Sequence, residues 1–248
     1  PLKIASPELN YTQLLRQASR VPLVVPTGVS RLEDIEYALE QITSEVMLLH
    51  CITAYPAPPQ EYNLGLIQTL KAVFGVSTGV SDHSTDPRIV PACAAALGAA
   101  AVEKHFTLKS TDGGLDDPIA LTPEDLRKTA DAVQKFAGVY EEQGAEIAID
   151  QLKGVFGSEQ IAVYLGDGVK RLAPSEAANY GRTNRSLHAL HALQPGDVLT
   201  EKDFAPLRTE KELRPGLHPK FSEIITGKRV SLPIPAGEGI RWQALLRD

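Results

Sequence analysis

The chain reads VSTGVSDHS over residues 76–84 and AAAVEKHFT over residues 99–107. Each stretch is a short apolar run that leads to a histidine, His83 or His105, and residues 88–97 between them have the apolar spacing of a covering helix. In barrels of alternating strands and helices, chemistry is done at the strand ends, and adjacent strands lie about 5 Å apart. We therefore expect the two imidazoles to share a divalent metal ion. Each histidine taken alone would equally suit a hydrogen bond to a neighbouring loop.

The same unit repeats from residue 1 to about residue 138. It consists of a short apolar strand, a polar loop and an amphipathic helix, and five such units predict an α/β fold with a parallel sheet covered by helices. Ser30 followed by Glu33 predicts a capping box, and Thr122 with Pro123 predicts another helix start. The strands are expected at 2–5, 23–26, 46–51, 76–80 and 101–105, and the helices at 11–18, 31–41, 63–74, 87–97 and 123–140. The first strand has no earlier element to pair with, so we expect further chain before residue 1 in the working protein.

The composition is that of an ordinary globular chain of 248 residues, 43% hydrophobic and 23% charged, with a formal net charge of -6. The negative charge and the absence of basic runs argue against a nucleic-acid partner. No apolar stretch approaches the roughly 20 residues needed to cross a bilayer. Cys51 and Cys93 lie inside apolar segments, as buried thiols in a reducing compartment do. We therefore expect a cytoplasmic protein that binds neither membrane nor nucleic acid.

The second half of the chain changes character. Residues 141–182 are rich in glycine and charge, a composition that predicts a linker laid over a surface. Residues 183–248, called the C-terminal module below, contain short apolar runs separated by Pro-Gly turns, which predict a compact β-rich unit. A unit of this size is marginally stable alone, so we expect it to rest on another surface, with Trp242 and Leu245 supplying part of the contact.

The polar residues at the predicted strand ends form a set with a clear chemical character. A cation, hydroxyls, imidazoles and carboxylates at one mouth suit an anionic, oxygen-rich substrate held near a metal. Taken singly, Lys3 also fits a solvated strand end, Asp116 fits loop solvation, and Tyr55 fits a rigid proline-rich loop. The set comprises Lys3, Ser6, Glu8, Thr27, Thr53, Tyr55, Ser81, Asp82, His83, Lys104, His105, Thr107 and Asp116.

Several of these stretches resemble the bacterial sialic acid synthase family and its C-terminal antifreeze-like (SAF) domain. The resemblance implies an eight-stranded (β/α)8 TIM barrel, of which about strands 4 to 8 lie in residues 1–140, followed by a linker at 141–182 and a β-rich SAF domain at 183–248. It also implies a transferase that condenses phosphoenolpyruvate with an N-acylated mannosamine-type sugar, giving a nonulosonic (sialic) acid and phosphate. The matching runs are KIAS (3–6), LLHC (48–51), YPAP (55–58), SDHS (81–84), EKHFT (103–107), NRSL (184–187), PGDVLT (195–200) and RPG (214–216).

The resemblance assigns a metal and a phosphoenolpyruvate site. His83 and His105 would bind manganese or magnesium, which would polarise the sugar aldehyde. Lys3, Ser6 and Ser81 would hold the phosphate and carboxylate of phosphoenolpyruvate, because a point charge with short donors suits dense negative charge.

The remaining roles concern the sugar. By the resemblance, Glu8, Tyr55 and Asp116 face the sugar and the reacting centre.

The working unit is expected to be a domain-swapped homodimer, in which the C-terminal module covers the partner's barrel and Arg214 enters the partner's site. Arg208 is a weaker candidate for that arginine.

Two positions depart from the family pattern, and two other functions remain open. Pro26 stands where the family often has serine, and proline has no side-chain donor. Thr53 stands where the sialic acid enzymes often have asparagine, which leaves the acceptor sugar open and makes a spore-coat-polysaccharide-type synthase equally plausible. The alternatives are a barrel aldolase that uses Lys104 as a Schiff-base nucleophile, and a non-catalytic carbohydrate-binding or scaffold protein.

Overall fold

The computed structural model describes residues 1–109, 113–209 and 212–245. Five parallel strands form one sheet in chain order, as the repeated unit predicts. Because the strands are consecutive and parallel, their carboxyl ends meet at one edge of the sheet. The strands are β1 (Leu2–Lys3), β2 (Leu23–Pro26), β3 (Val46–Cys51), β4 (Ser77–Asp82) and β5 (Val102–Lys104).

The helices that follow these strands cover the sheet. Their order confirms the predicted alternation. The ends of α1 to α4 differ by a few residues from the predicted ones, whereas α5 continues well past its predicted end at residue 140. The α-helices of the described ranges, of which the last lies in the C-terminal module, are α1 (Thr12–Ala18), α2 (Leu32–Glu40), α3 (Leu66–Phe74), α4 (Ile89–Ala96), α5 (Pro123–Phe156), α6 (Ser158–Leu165), α7 (Pro174–Ala177) and α8 (Ser222–Ile225). No helix in the described ranges combines the length and the apolar character needed to cross a membrane.

Strand ends differ from the prediction in a way that matters for the site. β4 continues to Asp82, because Ser81 and Asp82 pair with Glu103 and Lys104 of β5. β5 ends before His105, so this histidine lies just beyond the strand.

Helix starts are set by local polar contacts. The capping box predicted from Ser30 and Glu33 is wrong, because the Ser30 hydroxyl donates instead to the Gly28 carbonyl oxygen. The carboxylate of Asp34 caps α2 by accepting from the Arg31 backbone N–H at 2.9 Å. The prediction for α5 is confirmed, since the Thr122 hydroxyl accepts from the Asp125 backbone N–H, three residues on.

The segment predicted as a linker is largely helical. α5 continues to Phe156 and is interrupted only where Gly144 takes a φ of 82°. Ala148 and Leu152 of α5 and Ile161 of α6 are fully buried and pack with α4, all eight residues of which are buried. The glycines of this segment favour a loop. The segment is nevertheless helical, because its apolar residues recur at helical spacing and pack into the core beside α4.

The C-terminal module has its own apolar core. β6 (Arg185–Ala189) pairs antiparallel with β7 (Phe204–Arg208), and single bridges, such as Val230 with Leu245, tie in the remaining segments. Leu245 is buried in this core, so it does not supply the outward face expected of it. Trp242 is 42% exposed.

A candidate site at the carboxyl edge of the sheet

His83 and His105 lie side by side at the carboxyl edge of the sheet. Their ring centroids are 5.3 Å apart, with 42° between the ring planes. His83 is buried, whereas His105 is partly open to the site. The two rings lie close together because β4 and β5 are adjacent strands that end at the same level.

The hydrogen bonds of His83 fix which nitrogen faces the site. Nδ1 lies 2.7 Å from the carbonyl oxygen of Ile52, so Nδ1 carries the proton and donates it. Nε2 then presents a lone pair, the arrangement that metal-binding histidines adopt. Burial lowers the pKa of both His83 and His105, and the neighbouring His83 lowers that of His105 further. Neutral rings are the form that binds metal.

Tyr55 closes one side of the histidine pair. Its ring stacks on His83 with centroids 4.2 Å apart and meets His105 edge-on at 5.8 Å. Burial raises the pKa of Tyr55 to about 12, so its hydroxyl stays protonated and can donate near neutral pH. On the other side, the Asp116 carboxylate lies 3.6 Å from Nδ1 of His105.

Lys3 and Ser81 converge on one carboxylate that the sequence prediction did not single out. Lys3 Nζ lies 3.1 Å from Oε1 of Glu103, and the Ser81 hydroxyl donates to the same oxygen at 2.9 Å. Glu103 lies two residues before His105, so strand alternation places both on the same face. That spacing was the signal that could have identified it.

Ser6 and Thr53 meet around Gly28, in the loop after β2. A Cβ atom at Gly28 would lie 2.0 Å from the Thr53 hydroxyl oxygen and 3.0 Å from that of Ser6. The Cys51 sulfur lies between them, 3.6 Å from the Ser6 oxygen and 3.9 Å from the Thr53 oxygen. The loops after β1, β2 and β3 thus bring two hydroxyls close to the backbone of a glycine, a combination of donors that suits a phosphate or carboxylate.

Lys104 faces away from this cluster and is fully engaged. Its ammonium group lies 2.9 Å from Oδ2 of Asp82 and donates to the Ser84 carbonyl oxygen at 2.6 Å. Both charged side chains are almost completely buried. A Schiff-base nucleophile needs a free, accessible amine, so this geometry argues against the aldolase alternative.

Glu8 pairs with an arginine of the C-terminal module, and that arginine is Arg185. Two guanidinium nitrogens of Arg185 contact the Glu8 carboxylate, one of them at 3.2 Å. The guanidinium also lies over the Tyr11 ring, 4.3 Å from its centroid. Arg214 is exposed in this chain, and its predicted entry into a partner's site stays a prediction. Arg185 heads β6 beside the loop after β1, whereas Arg214 lies in a loop.

The described residues offer two imidazoles to a metal. Within the described ranges no group of three or more His, Cys, Asp or Glu side chains is arranged to hold an ion. Two neutral imidazoles with their remaining side open are compatible with a metal that completes its shell with water and substrate oxygens.

The sheet and this cluster define an α/β protein with a group of polar and ionisable side chains at the carboxyl edge of its parallel strands. The chain belongs to the NeuB family, whose model matches residues 1–144, and residues 184–246 match the SAF domain. These matches confirm the resemblance inferred from the sequence motifs.

The chain is similar to several curated proteins over nearly its whole length. It is 34% identical over 252 residues to the spore coat polysaccharide biosynthesis protein SpsE of Bacillus subtilis, covering 98% of this chain and 64% of that protein. It is 32% identical over 248 residues to a pseudaminic acid synthase of Campylobacter jejuni, covering 96% of this chain and 62% of the synthase. The chain therefore spans somewhat less than two thirds of these relatives.

The fold is also similar to a solved structure. The crystal structure of Bacillus subtilis SpsE matches with a TM-score of 0.85 at 33% identity, over 99% of this chain and 67% of that one. The parallel sheet, its helices and the C-terminal module are thus arranged as in a spore coat polysaccharide protein.

Proposed function

We propose that the protein carrying this chain condenses phosphoenolpyruvate with an N-acylated, mannosamine-type amino-sugar aldehyde to give a nonulosonic acid and phosphate. The observation that supports this most is the convergence of Lys3, Ser81 and the His83–His105 pair at one edge of the sheet. Similarity to a pseudaminic acid synthase supports the same reaction class. The eight-stranded barrel is part of the proposal, since five of its strands are present here.

Phosphoenolpyruvate would bind among the loops after β1, β3 and β4. Lys3 supplies the positive charge, and Ser6 and Ser81 supply short donors for the phosphate and carboxylate of phosphoenolpyruvate. Glu103 holds Lys3 and Ser81 in position until the substrate arrives. Thr53 lies beside Gly28 and shapes the same part of the mouth.

The sugar would bind on the histidine side of the mouth. His83 and His105 would hold manganese or magnesium, and the ion would offset charge that develops on the aldehyde oxygen. A carbon–carbon bond forms between the methylene carbon of phosphoenolpyruvate and the aldehyde carbon, and water adds at the enol carbon as phosphate leaves. Tyr55 and Asp116 are placed to donate and accept protons beside His105.

Phosphate release tests this function. An active form of the protein, given phosphoenolpyruvate and N-acetylmannosamine with Mn²⁺, should release phosphate in step with a nine-carbon acid detected by mass spectrometry. The Lys3→Ala variant should raise the KM for phosphoenolpyruvate much more than that for the sugar, because it removes a charge-assisted contact. Sugar binding without phosphate release would instead favour the carbohydrate-binding alternative, and borohydride trapping with pyruvate would favour the aldolase.

A further inference from the structure

Glu176 is a buried carboxylate that the proposed chemistry does not use. It lies on α7, in the segment between the sheet and the C-terminal module, and its exposed fraction is 0%. Its Oε1 accepts the backbone N–H of Val29 at 2.8 Å and that of Thr53 at 2.7 Å. One oxygen atom thus joins the loop after β2 to the loop after β3.

The two bonded residues flank the closest approach in the site. Val29 directly follows Gly28, whose Cα faces the hydroxyls of Thr53 and Ser6. The spacing of these two loops sets how closely the Thr53 hydroxyl approaches the Gly28 backbone. The two hydrogen bonds to Glu176 hold the loops at this spacing.

The loop after β2 needs such support because its backbone is strained. Val29 has a φ of 49°, a left-handed conformation that is unfavourable for a β-branched residue. Both of its backbone polar groups are held by residues beyond α6. The N–H donates to Glu176, and the carbonyl oxygen accepts from the Asn184 side chain at 3.3 Å.

Lys170 is the cation that interacts electrostatically with this buried carboxylate. The Lys170 ammonium donates to the Thr27 carbonyl oxygen at 3.2 Å, in the same loop. Burial lowers the pKa of Lys170, and the nearby Glu176 carboxylate opposes this shift. The other Glu176 oxygen, Oε2, has no hydrogen-bond partner among the described residues. The hydrogen bonds of this carboxylate among these residues therefore go to the two loops alone.

We propose that Glu176 is a positioning residue, which holds Gly28 and Thr53 at the spacing needed to bind phosphoenolpyruvate. The proposal rests on the proposed function for the identity of the anion. It follows that accepting two backbone N–H groups at the right reach matters more than the negative charge itself.

Two conservative variants separate these properties. Glu176→Gln keeps an acceptor oxygen at the same reach and loses the charge, whereas Glu176→Asp keeps the charge and is too short to reach both loops. We expect Glu176→Asp to weaken phosphoenolpyruvate binding by about tenfold or more, because one of the two loops loses its hydrogen bond to the side chain, and Glu176→Gln by less than about threefold, because both loops keep theirs. Isothermal titration calorimetry on the active protein measures both.

Glu61 offers a matched control, because its carboxylate also contacts α7 but is partly exposed to solvent. The Glu61 carboxylate accepts from the Ser175 backbone N–H at 3.1 Å and from its hydroxyl, next to Glu176 but away from the site. Glu61→Gln should leave phosphoenolpyruvate binding unchanged. Hydrogen–deuterium exchange gives a readout that needs no substrate, since the Val29 and Thr53 amides should exchange faster in Glu176→Asp and as in wild type in Glu61→Gln.

The outcomes distinguish the two proposals. Wild-type affinity and exchange in Glu176→Asp would overturn the positioning role, and so would Glu176→Gln if it lost as much affinity as Glu176→Asp. A wild-type protein that binds no phosphoenolpyruvate would sink the proposed function, while the exchange rates of the two amides would still decide whether Glu176 holds the loops.

Discussion

At the scale of single residues, two lysines near strand ends differ in the carboxylate that each contacts. Lys3 and Lys104 both stand near strand ends, yet Lys3 reaches Glu103 at the open edge and Lys104 is buried against Asp82. Lys104 directly follows Glu103 on β5, and neighbours on a strand face opposite sides, so Lys104 turns away from the side that Glu103 shares with Lys3. Motif matching alone put both lysines at the mouth, so it could identify the residues of the cluster but not which face each takes.

The tightest single contact of the site is at Gly28. A Gly28→Ala substitution would place a methyl group 2.0 Å from the Thr53 hydroxyl oxygen, so the loops must separate. We expect loss of phosphoenolpyruvate binding and a fall of about 1–3 kcal/mol in the free energy of unfolding, as overpacking usually costs. Urea denaturation and calorimetry measure the two effects.

Gly138 provides the control, since a Cβ there meets no atom within 4 Å and the residue lies inside α5. Gly138→Ala should stabilise the protein by about 0.5–1 kcal/mol and leave binding intact. If Gly28→Ala binds phosphoenolpyruvate as wild type does, the close approach of the two loops has no part in the site.

At the scale of elements, the sequence predicts the repeated strand–helix units well and the connecting segment poorly. Near-continuous apolar strands and amphipathic helices carry strong local signals, and these five units appear in the predicted order. The segment after residue 140 has weak local signals, with Gly144 and Gly154 suggesting breaks. Its helices depend on packing against α4, and such long-range contacts override local propensity.

Leu152 tests whether this segment is a structural part of the first unit. Its side chain is 0% exposed in the core beside α4, so Leu152→Ala should lower the free energy of unfolding by about 2–5 kcal/mol. Val155→Ala, on the same helix but 55% exposed, should cost much less. Equal small losses in urea denaturation would mean that the segment is only a surface linker.

At the scale of the whole molecule, the C-terminal module and the sheet meet at the mouth. Arg185 reaches Glu8 with its guanidinium, and its backbone bonds both ends of the Asn10 amide. In a single chain this contact is internal. The domain-swapped homodimer, in which Arg214 enters the partner's site, stays a prediction.

Subunit mixing tests the shared site. Neither His83→Ala nor Arg214→Ala should be active alone, but a mixed dimer would contain one site with both residues intact, so part of the activity should return. No recovery on mixing, with mixed dimers shown to form, would place Arg214 in its own subunit's site or outside catalysis.

The central claim is that His83 and His105 together bind one metal ion at the edge of the sheet that receives the substrates. Titration of the protein with Mn²⁺, followed by electron paramagnetic resonance, measures this directly. We predict one tightly bound ion per chain in wild type and in Tyr55→Phe, which leaves both imidazoles in place, and none in His83→Ala or His105→Ala. Tight binding of one Mn²⁺ in either histidine variant would contradict the shared site.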